Sequence, residues 1–278
     1  SMNLLVTALY EEAKPFIEIT KCKKAQDRGN LNVYANDKVG ILITGYGKVP
    51  AAVAVSRLLQ SMGVEPLGHI VNVGICGASD TSMPIGSIHL MHTLTDQATG
   101  RNYFPDRLYA SPYPEGTLIT VDQGQSAQDA RKNSFYDMEA SGVFQAATQF
   151  VTSDRVHFLK VVSDHLEPEA VTPQGLQETM KQAAPSIMEF VDSLPAIESV
   201  DTLQPVEQKY LEEIQEHWKL TQTQFHQLKD ATIYHNLTNP DVDSIEELTH
   251  FINRIQPQTS SKSARNQAFA TLLNALGT

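Results

Sequence analysis

Six short apolar runs, most of them rich in β-branched residues, alternate with stretches of helical periodicity over the first two-thirds of the chain. The runs fall near residues 3–9, 32–43, 69–74, 85–94, 117–121 and 156–162, and the helical stretches near 48–62, 135–150 and 173–193. Strand-sized runs separated by amphipathic helices predict an α/β fold in which crossover helices flank a central sheet. The pattern changes across residues 193–199 (SLPAIES), after which no strand pattern returns. From Val206 onward Tyr210, Ile214, Trp218, Phe225 and Leu228 recur at helical spacing, and two shorter amphipathic pieces follow around 245–255 and 264–276. The expected division is an α/β domain over residues 1–195 and an all-helical appendage over 200–278. The appendage is expected to pack on the first domain or on a partner subunit, and its aromatic stripe reads as core rather than as a cofactor box.

Acids near the ends of these runs carry the chemical interest. The run VHFLKVV (156–162) reads as a buried strand, and Asp164 follows it at the carboxyl end, where open α/β sheets bind ligands. An acid there can equally cap a turn or start the next helix. Glu12 falls just beyond the opening run. Glu139, in SFYDMEASGVFQAATQF, shares a stripe with Val143, Ala146, Ala147 and Phe150 of a helix that a Ser134/Asp137 capping box is expected to begin. A carboxylate on that face is costly to bury without partners, whereas in a solvated first turn it favours the helix dipole. Two apolar runs lead into glycine-punctuated turns, Gly45-Tyr46-Gly47-Lys48 and Gly74-Ile75-Cys76-Gly77-Ala78. Glycines there permit positive φ and close approach of backbone to a ligand, or tight packing of a strand on the following helix. Neither turn completes a dinucleotide fingerprint or a phosphate loop.

Composition narrows the partners. With 278 residues, 41% of them hydrophobic, the chain can bury one large core and carry an appendage. The net charge of -11, with no lysine or arginine cluster, argues against nucleic acid or an anionic membrane and suits a neutral or cationic small molecule. Ser1 ahead of Met2 is set aside as a cloning remnant. The expected location is cytoplasmic, since no leader or spanning apolar run is seen and Cys22 and Cys76 are too few for a disulfide framework. Cys76 reads as a small buried thiol. His89 and His92 would point to opposite faces of a strand, so no metal site is expected.

In order along the chain, ALYEEAKPF, TGYGKVPAAVAVSRLL, VNVGICGA with PIGSI following, DMEASGVFQAA and VVSDHLE resemble the nucleoside phosphorylase and nucleosidase superfamily, most closely the methylthioadenosine/S-adenosylhomocysteine nucleosidases. The resemblance runs from residue 3 to about 194. It implies a central twisted mixed sheet wrapped by helices, a homodimer with shared active sites, and no cofactor. It also implies that Asp164 acts as general acid toward purine N7, its carboxyl kept protonatable by desolvation. Glu139 would accept hydrogen bonds from the ribose hydroxyls, Met138 would lie on the ribose face, and Glu12 would bind and activate water. Ser163 and the backbone from Gly74 through Cys76 to Gly77 would orient acid and ligand. Phe104, in GRNYFPDRL, falls where the family sends an aromatic across the dimer interface, although Arg101 and Asp106 beside it are unusual.

Three departures bear on the substrate. Tyr46 stands where an aliphatic residue near the 5′ substituent is usual, residues 122–125 (DQGQ) lack the phenylalanine that stacks on the base, and residues 165–168 (HLEP) do not reproduce the usual lid. Asn72 stands where many phosphorylases of the superfamily carry an arginine, and a carboxylate at Glu12 would repel phosphate. The expected function is hydrolysis of a purine nucleoside, with adenine and a small 5′ group: methylthioadenosine, S-adenosylhomocysteine or 5′-deoxyadenosine. The alternatives are a purine nucleoside phosphorylase and an inactive nucleoside-binding or interaction protein.

Overall fold

The structure, a computed structural model, describes residues 1–62, 67–197, 203–239, 241–257 and 259–277. The described residues fall into two compact units, one within Ser1–Ser61 and Pro66–Ile197 and one within Met62–Glu65 and Glu198–Thr278. The last residues of the segment 193–199 lie outside the described residues.

In the first unit the opening apolar run forms strand β1 (Met2–Thr7) and passes directly into helix α1 (Tyr10–Thr20). Strands β2 (Lys23–Lys24), β3 (Asn32–Ala35) and β4 (Val39–Ile43) follow, then helix α2 (Lys48–Met62). The long strand β5 (Leu67–Ala78) is followed by β6 (Ile88–Asp96), β7 (Asn102–Tyr103), β8 (Glu115–Thr120) and β9 (Phe135–Asp137). Helix α3 (Ala140–Ala147), strand β10 (Val156–Asp164) and helix α4 (Pro173–Ser193) complete the unit.

The sheet is mixed, and part of it closes on itself. Strand β5 pairs with β9 antiparallel, β9 with β8 and β8 with β6 in parallel, β6 with β10 antiparallel, and β10 returns to β5 in parallel. From β5 the sheet extends outward through β1, β4, β3 and β2. Strands β5 and β10 are covered on both faces, which is why each reads as a near-continuous apolar run. Val71, Val73, Leu159 and Val161 share one core with Phe16 of α1 and Met180, Ile187 and Phe190 of α4.

Several boundaries depart from the sequence expectation for identifiable reasons. The run 32–43 is two strands, because Asn36 Oδ1 accepts from the backbone N–H groups of Lys38 and Val39 and turns the chain back. The segment expected to turn at Gly74 continues as strand to Ala78, paired with β10 as far as Gly77 and with β9 at Gly77 and Ala78. The helix expected from 135 begins only at Ala140, because residues 135–137 are claimed by β5 and β8 as a strand. No capping box forms at Ser134, whose hydroxyl donates to the Lys132 carbonyl, and Phe150 is exposed rather than on a buried stripe.

The second unit holds helices α5 (Pro205–His217), α6 (Gln222–Thr238), α7 (Ser244–Arg254) and α8 (Lys262–Ala275). Thr221, Asp243 and Ser261 accept from first-turn N–H groups and so start the last three. Leu211, Ile214, Trp218, Phe225 and Leu228 form its core with residues of α7 and α8. Among the described residues no helix is long and apolar enough to cross a membrane.

A buried histidine pair ties β5 to β10 away from the glycine-bearing ends. His69 Nε2 lies 3.0 Å from the Pro195 carbonyl, which can only accept, so His69 Nδ1 must accept from His157 Nε2 across 3.0 Å. Burial pushes both imidazoles down, His157 to about 4 with the neighbouring His69 adding to the effect. Because the unfolded chain takes up this proton first, stability present above about pH 6.5 is lost as pH falls toward 4, by up to about 3 kcal/mol for His157 alone. Urea unfolding of His157→Gln, which keeps an N–H for His69, is expected to show a shallower pH dependence over that window. Equal slopes in the two proteins would rule out this role for His157.

Candidate active site

The carboxyl ends of β5, β9 and β10 meet the start of α1 around a cavity of about 480 Å³. Its wall is built from Ala8, Leu9, Glu11, Glu12, Tyr46, residues 75–77, 136–139, 163–164 and parts of 121–125 and 166–176. Among the lining residues are five carboxylates, Glu11, Glu12, Asp137, Glu139 and Asp164, and no lysine, arginine or histidine.

Glu12 is buried and held by backbone alone. Its Oε1 accepts from the N–H groups of Ala8 at 3.1 Å and Leu9 at 3.0 Å, and Oε2 accepts from Ile75 N–H at 2.8 Å. The carboxylate fits against β5 because Gly74 has no side chain: a Cβ there would sit 2.6 Å from Oε2. Burial pushes the Glu12 carboxyl up, against the pull of the Lys160 ammonium and of the three backbone donors.

Glu139 occupies the position just before α3, where the chain leaves β9. Its Oε1 accepts from Gly47 N–H and its Oε2 from Met138 N–H, each at 3.2 Å. The first bond depends on the turn at Gly45-Tyr46-Gly47, where both glycines take positive φ (87° and 95°). Burial raises the Glu139 carboxyl to about 7, with the charge of Asp137 adding and Lys160 opposing.

Asp164 ends β10 beside Ser163, whose Oγ lies 2.6 Å from Asp164 Oδ1 and 3.2 Å from the Cys76 carbonyl. The Glu167 N–H donates to Asp164 Oδ2 at 2.9 Å. Met138, Cys76, Gly77 and Tyr46 also line the cavity, Tyr46 at 63% exposure on its rim. Burial and the carboxylates of Glu12, Glu139 and Glu11 push the Tyr46 phenol up. Burial likewise drives the Cys76 thiol far above its usual range, which disfavours the thiolate form.

Two expected residues lie elsewhere. Gly74 stands behind the Glu12 carboxylate rather than on the cavity wall, because Glu12 fills the space its missing side chain leaves. Phe104 is outside this chain's cavity and 62% exposed, next to Tyr103, which is paired on β6 and packed near the Phe144 ring.

Lys160 and Asp137 were not anticipated as site residues. Lys160 Nζ meets Asp137 Oδ2 at 3.1 Å, with both side chains at most 2% exposed. Asp137 also accepts from Thr120 Oγ1 at 2.8 Å and from Ala140 N–H at 2.9 Å. Burial alone would lower the Lys160 ammonium, but the charges of Asp137, Glu139 and Glu12 outweigh it and hold it above its ordinary value. The signal was a lysine in the middle of an apolar strand, a position where charge survives only if paired. Lys48, after the glycine turn, is engaged by Asp96 at 2.7 Å and Asp122 at 3.0 Å. Asn72 donates to the Val6 carbonyl at 3.0 Å. Among the described residues no group of three or more His, Cys, Asp or Glu side chains is arranged to hold a metal ion.

Residues 4–124 match the sequence model of the phosphorylase superfamily. No curated protein matches the chain in sequence. Among solved structures, a mutant methylthioadenosine nucleosidase of Helicobacter pylori with 5′-methylthioadenosine in its active site is 14% identical, with a TM-score of 0.55 over 69% of this chain and 99% of its own. The futalosine hydrolase of the same organism is 15% identical, with a TM-score of 0.55 over 69% and 98%. The 5′-methylthioadenosine/S-adenosylhomocysteine nucleosidase of Neisseria meningitidis in complex with methylthio-immucillin-A is 16% identical, with a TM-score of 0.57 over 69% and 99%. The α/β unit thus has the fold of the nucleoside phosphorylases and nucleosidases.

Gly74 and Gly77 of β5 should respond differently to alanine. At Gly74 the new methyl meets a carboxylate pinned by three backbone donors, whereas at Gly77 it meets Leu166 Cδ2 at 2.7 Å, the far end of a rotatable side chain. Gly74→Ala is expected to cost about 1–3 kcal/mol in urea unfolding, and Gly77→Ala clearly less. A Gly74→Ala protein as stable as the parent would mean that Glu12 is not pinned as described.

Proposed function

We propose that the protein is a nucleosidase that hydrolyses the N-glycosidic bond of a purine nucleoside. One observation carries this reading: three carboxylates from remote parts of the chain, Glu12, Glu139 and Asp164, converge on one cavity whose lining holds no cation. Their hydrogen bonding leaves each the capacity its task needs. An ionised carboxylate has roughly four acceptor sites. Glu12 gives three to backbone N–H groups, leaving one for a water proton, while Glu139 gives two, leaving two for the vicinal ribose hydroxyls.

In the reaction the C1′–N9 bond breaks with its electron pair passing to the base. Asp164 delivers a proton to N7, Glu12 removes a proton from the water that attacks C1′, and the products are free purine and the sugar. Glu139, negatively charged beside the ribose, favours the positive sugar of an oxocarbenium-like transition state. Met138 lies against the ribose face, and Ser163 steadies Asp164. A neutral nucleophile suits this cavity better than phosphate, because Lys48 is committed to Asp96 and Asp122 and Asn72 to the Val6 carbonyl. Tyr46 and Glu11 at the rim support a compact 5′ end, and the substrate proposed is an adenine nucleoside such as methylthioadenosine or 5′-deoxyadenosine. The reading includes a homodimer in which exposed Phe104 reaches the neighbouring subunit's cavity.

Base release from methylthioadenosine, 5′-deoxyadenosine, adenosine, inosine and S-adenosylhomocysteine, with and without phosphate, tests the proposal. Phosphate-independent release is expected, reduced ~10²–10⁴-fold in Asp164→Asn and in Glu12→Gln. Release only with phosphate would make the protein a phosphorylase. Nucleoside binding without release in the parent and both variants would make it a binding protein.

A further inference from the structure

The cavity's acids surround a charge that the proposed reaction does not use. Lys160 faces Gly74 across the β5–β10 pairing, and its Nζ lies 3.5 Å from the point a Gly74 Cβ would occupy. Glu12 Oε2 lies 2.6 Å from that same point. Ammonium and carboxylate therefore share the space left by the glycine, no farther apart than about 6 Å, within the range at which an opposite charge favours the ionised form. The groups around Lys160 are Glu12 from α1, Asp137 from β9, Glu139 ahead of α3, and the Cys76 thiol from β5. Asp164 lies farther along the same strand, and the Tyr46 phenol feels the charges of Glu12 and Glu139. Lys160 is the one cation among these groups.

We propose that Lys160 is a positioning residue: its ammonium, anchored on Asp137 beneath the cavity floor, keeps Glu12 ionised and aimed, so that Glu12 can accept a proton from water. The role deepens the nucleosidase reading and rests on it for its catalytic meaning. Asp137 is the anchor because it is itself fixed by Thr120 Oγ1 and Ala140 N–H, which hold the Lys160 head group in one place. The other carboxylates then feel the ammonium without binding it. Glu139 feels both members of the pair in opposite senses, Asp137 raising its carboxyl and Lys160 lowering it, so loss of both largely cancels there, whereas Glu12, which shares the Gly74 space with Lys160 Nζ, loses the pull of the ammonium. An ion pair that merely fastened β10 to β9 would not predict this asymmetry.

The asymmetry gives the test. Lys160→Met alone leaves Asp137 buried and unpaired and is expected to fold poorly, so the decisive protein is Lys160→Met/Asp137→Asn, which replaces the pair by neutral groups of similar size. Carboxyl-¹³C NMR of glutamate-labelled, ligand-free protein, with Glu12→Gln and Glu139→Gln to assign the signals, follows both acids. In the double variant the Glu12 titration is expected to move up by at least about one pH unit while Glu139 moves much less. In Asp137→Asn alone the Glu139 titration is expected to move down. Base release by the double variant at pH 7 should fall ~10-fold or more and recover toward the parent value at higher pH. A Glu12 titration that overlays the parent's, or an Asp137→Asn protein with Glu139 unmoved, overturns the proposal. If the parent releases no base from any nucleoside, the nucleosidase reading fails on its own account, and the titrations still decide whether Lys160 governs Glu12.

Discussion

The parallel register between β5 and β10 is the constraint on which the site depends. It sets Lys160 opposite Gly74 and Asp164 opposite Gly77, so the two charged side chains of β10 come to lie where β5 offers no side-chain bulk. A one-residue slip would turn Lys160 to the other face and strand its charge among core side chains. The register also shifts between Val162 and Asp164, where two steps on β10 answer one on β5. That irregularity lets the successive residues Ser163 and Asp164 both reach the cavity wall, which strict alternation would forbid.

Burying several acids together is costly, and the fold offsets that cost mainly with backbone. The N–H groups that hold Glu12 come from the exit of β1 and from β5, and those that hold Glu139 come from the glycine turn before α2 and from its own neighbour. Such donors cannot swing away, so each carboxylate is aimed by secondary structure rather than by other flexible side chains. Lys160 is the exception, a mobile charge made rigid by complete burial against Asp137. Raised carboxyls at Glu12 and Glu139 record what remains of the desolvation cost after these partners are counted.

The apolar runs made the α/β class readable, because a strand covered on both faces shows its burial directly in its composition. Helices 48–62 and 173–193 were equally plain, since each presents a long periodic face. The residues 135–139 were misread for the opposite reason: three residues of strand have no periodicity to detect, and only pairing with β5 and β8 decides their conformation. Helix α1 escaped notice because Pro15 and the acids of its first turn obscure its pattern. At the site, Glu12, Glu139 and Asp164 stood out through the ends of strands and through family-like strings. Lys160 did not, because its role comes from what surrounds it, and no local string encodes three distant acids meeting one ammonium.

The same electrostatics bears on the choice of nucleophile. An anion entering the cavity would approach five carboxylates, with the nearest ammonium groups already engaged: Lys48 by Asp96 and Asp122, and Lys160 beneath the floor by Asp137. Freeing either cation would leave a buried or half-buried acid uncompensated, at a cost that phosphate binding would have to exceed. In the proposed reaction water would meet no such opposition and would find an acceptor in the one unfilled site of Glu12. On that reading, the arrangement that makes the acids tolerable to bury is also the one that would favour a neutral nucleophile over a charged one.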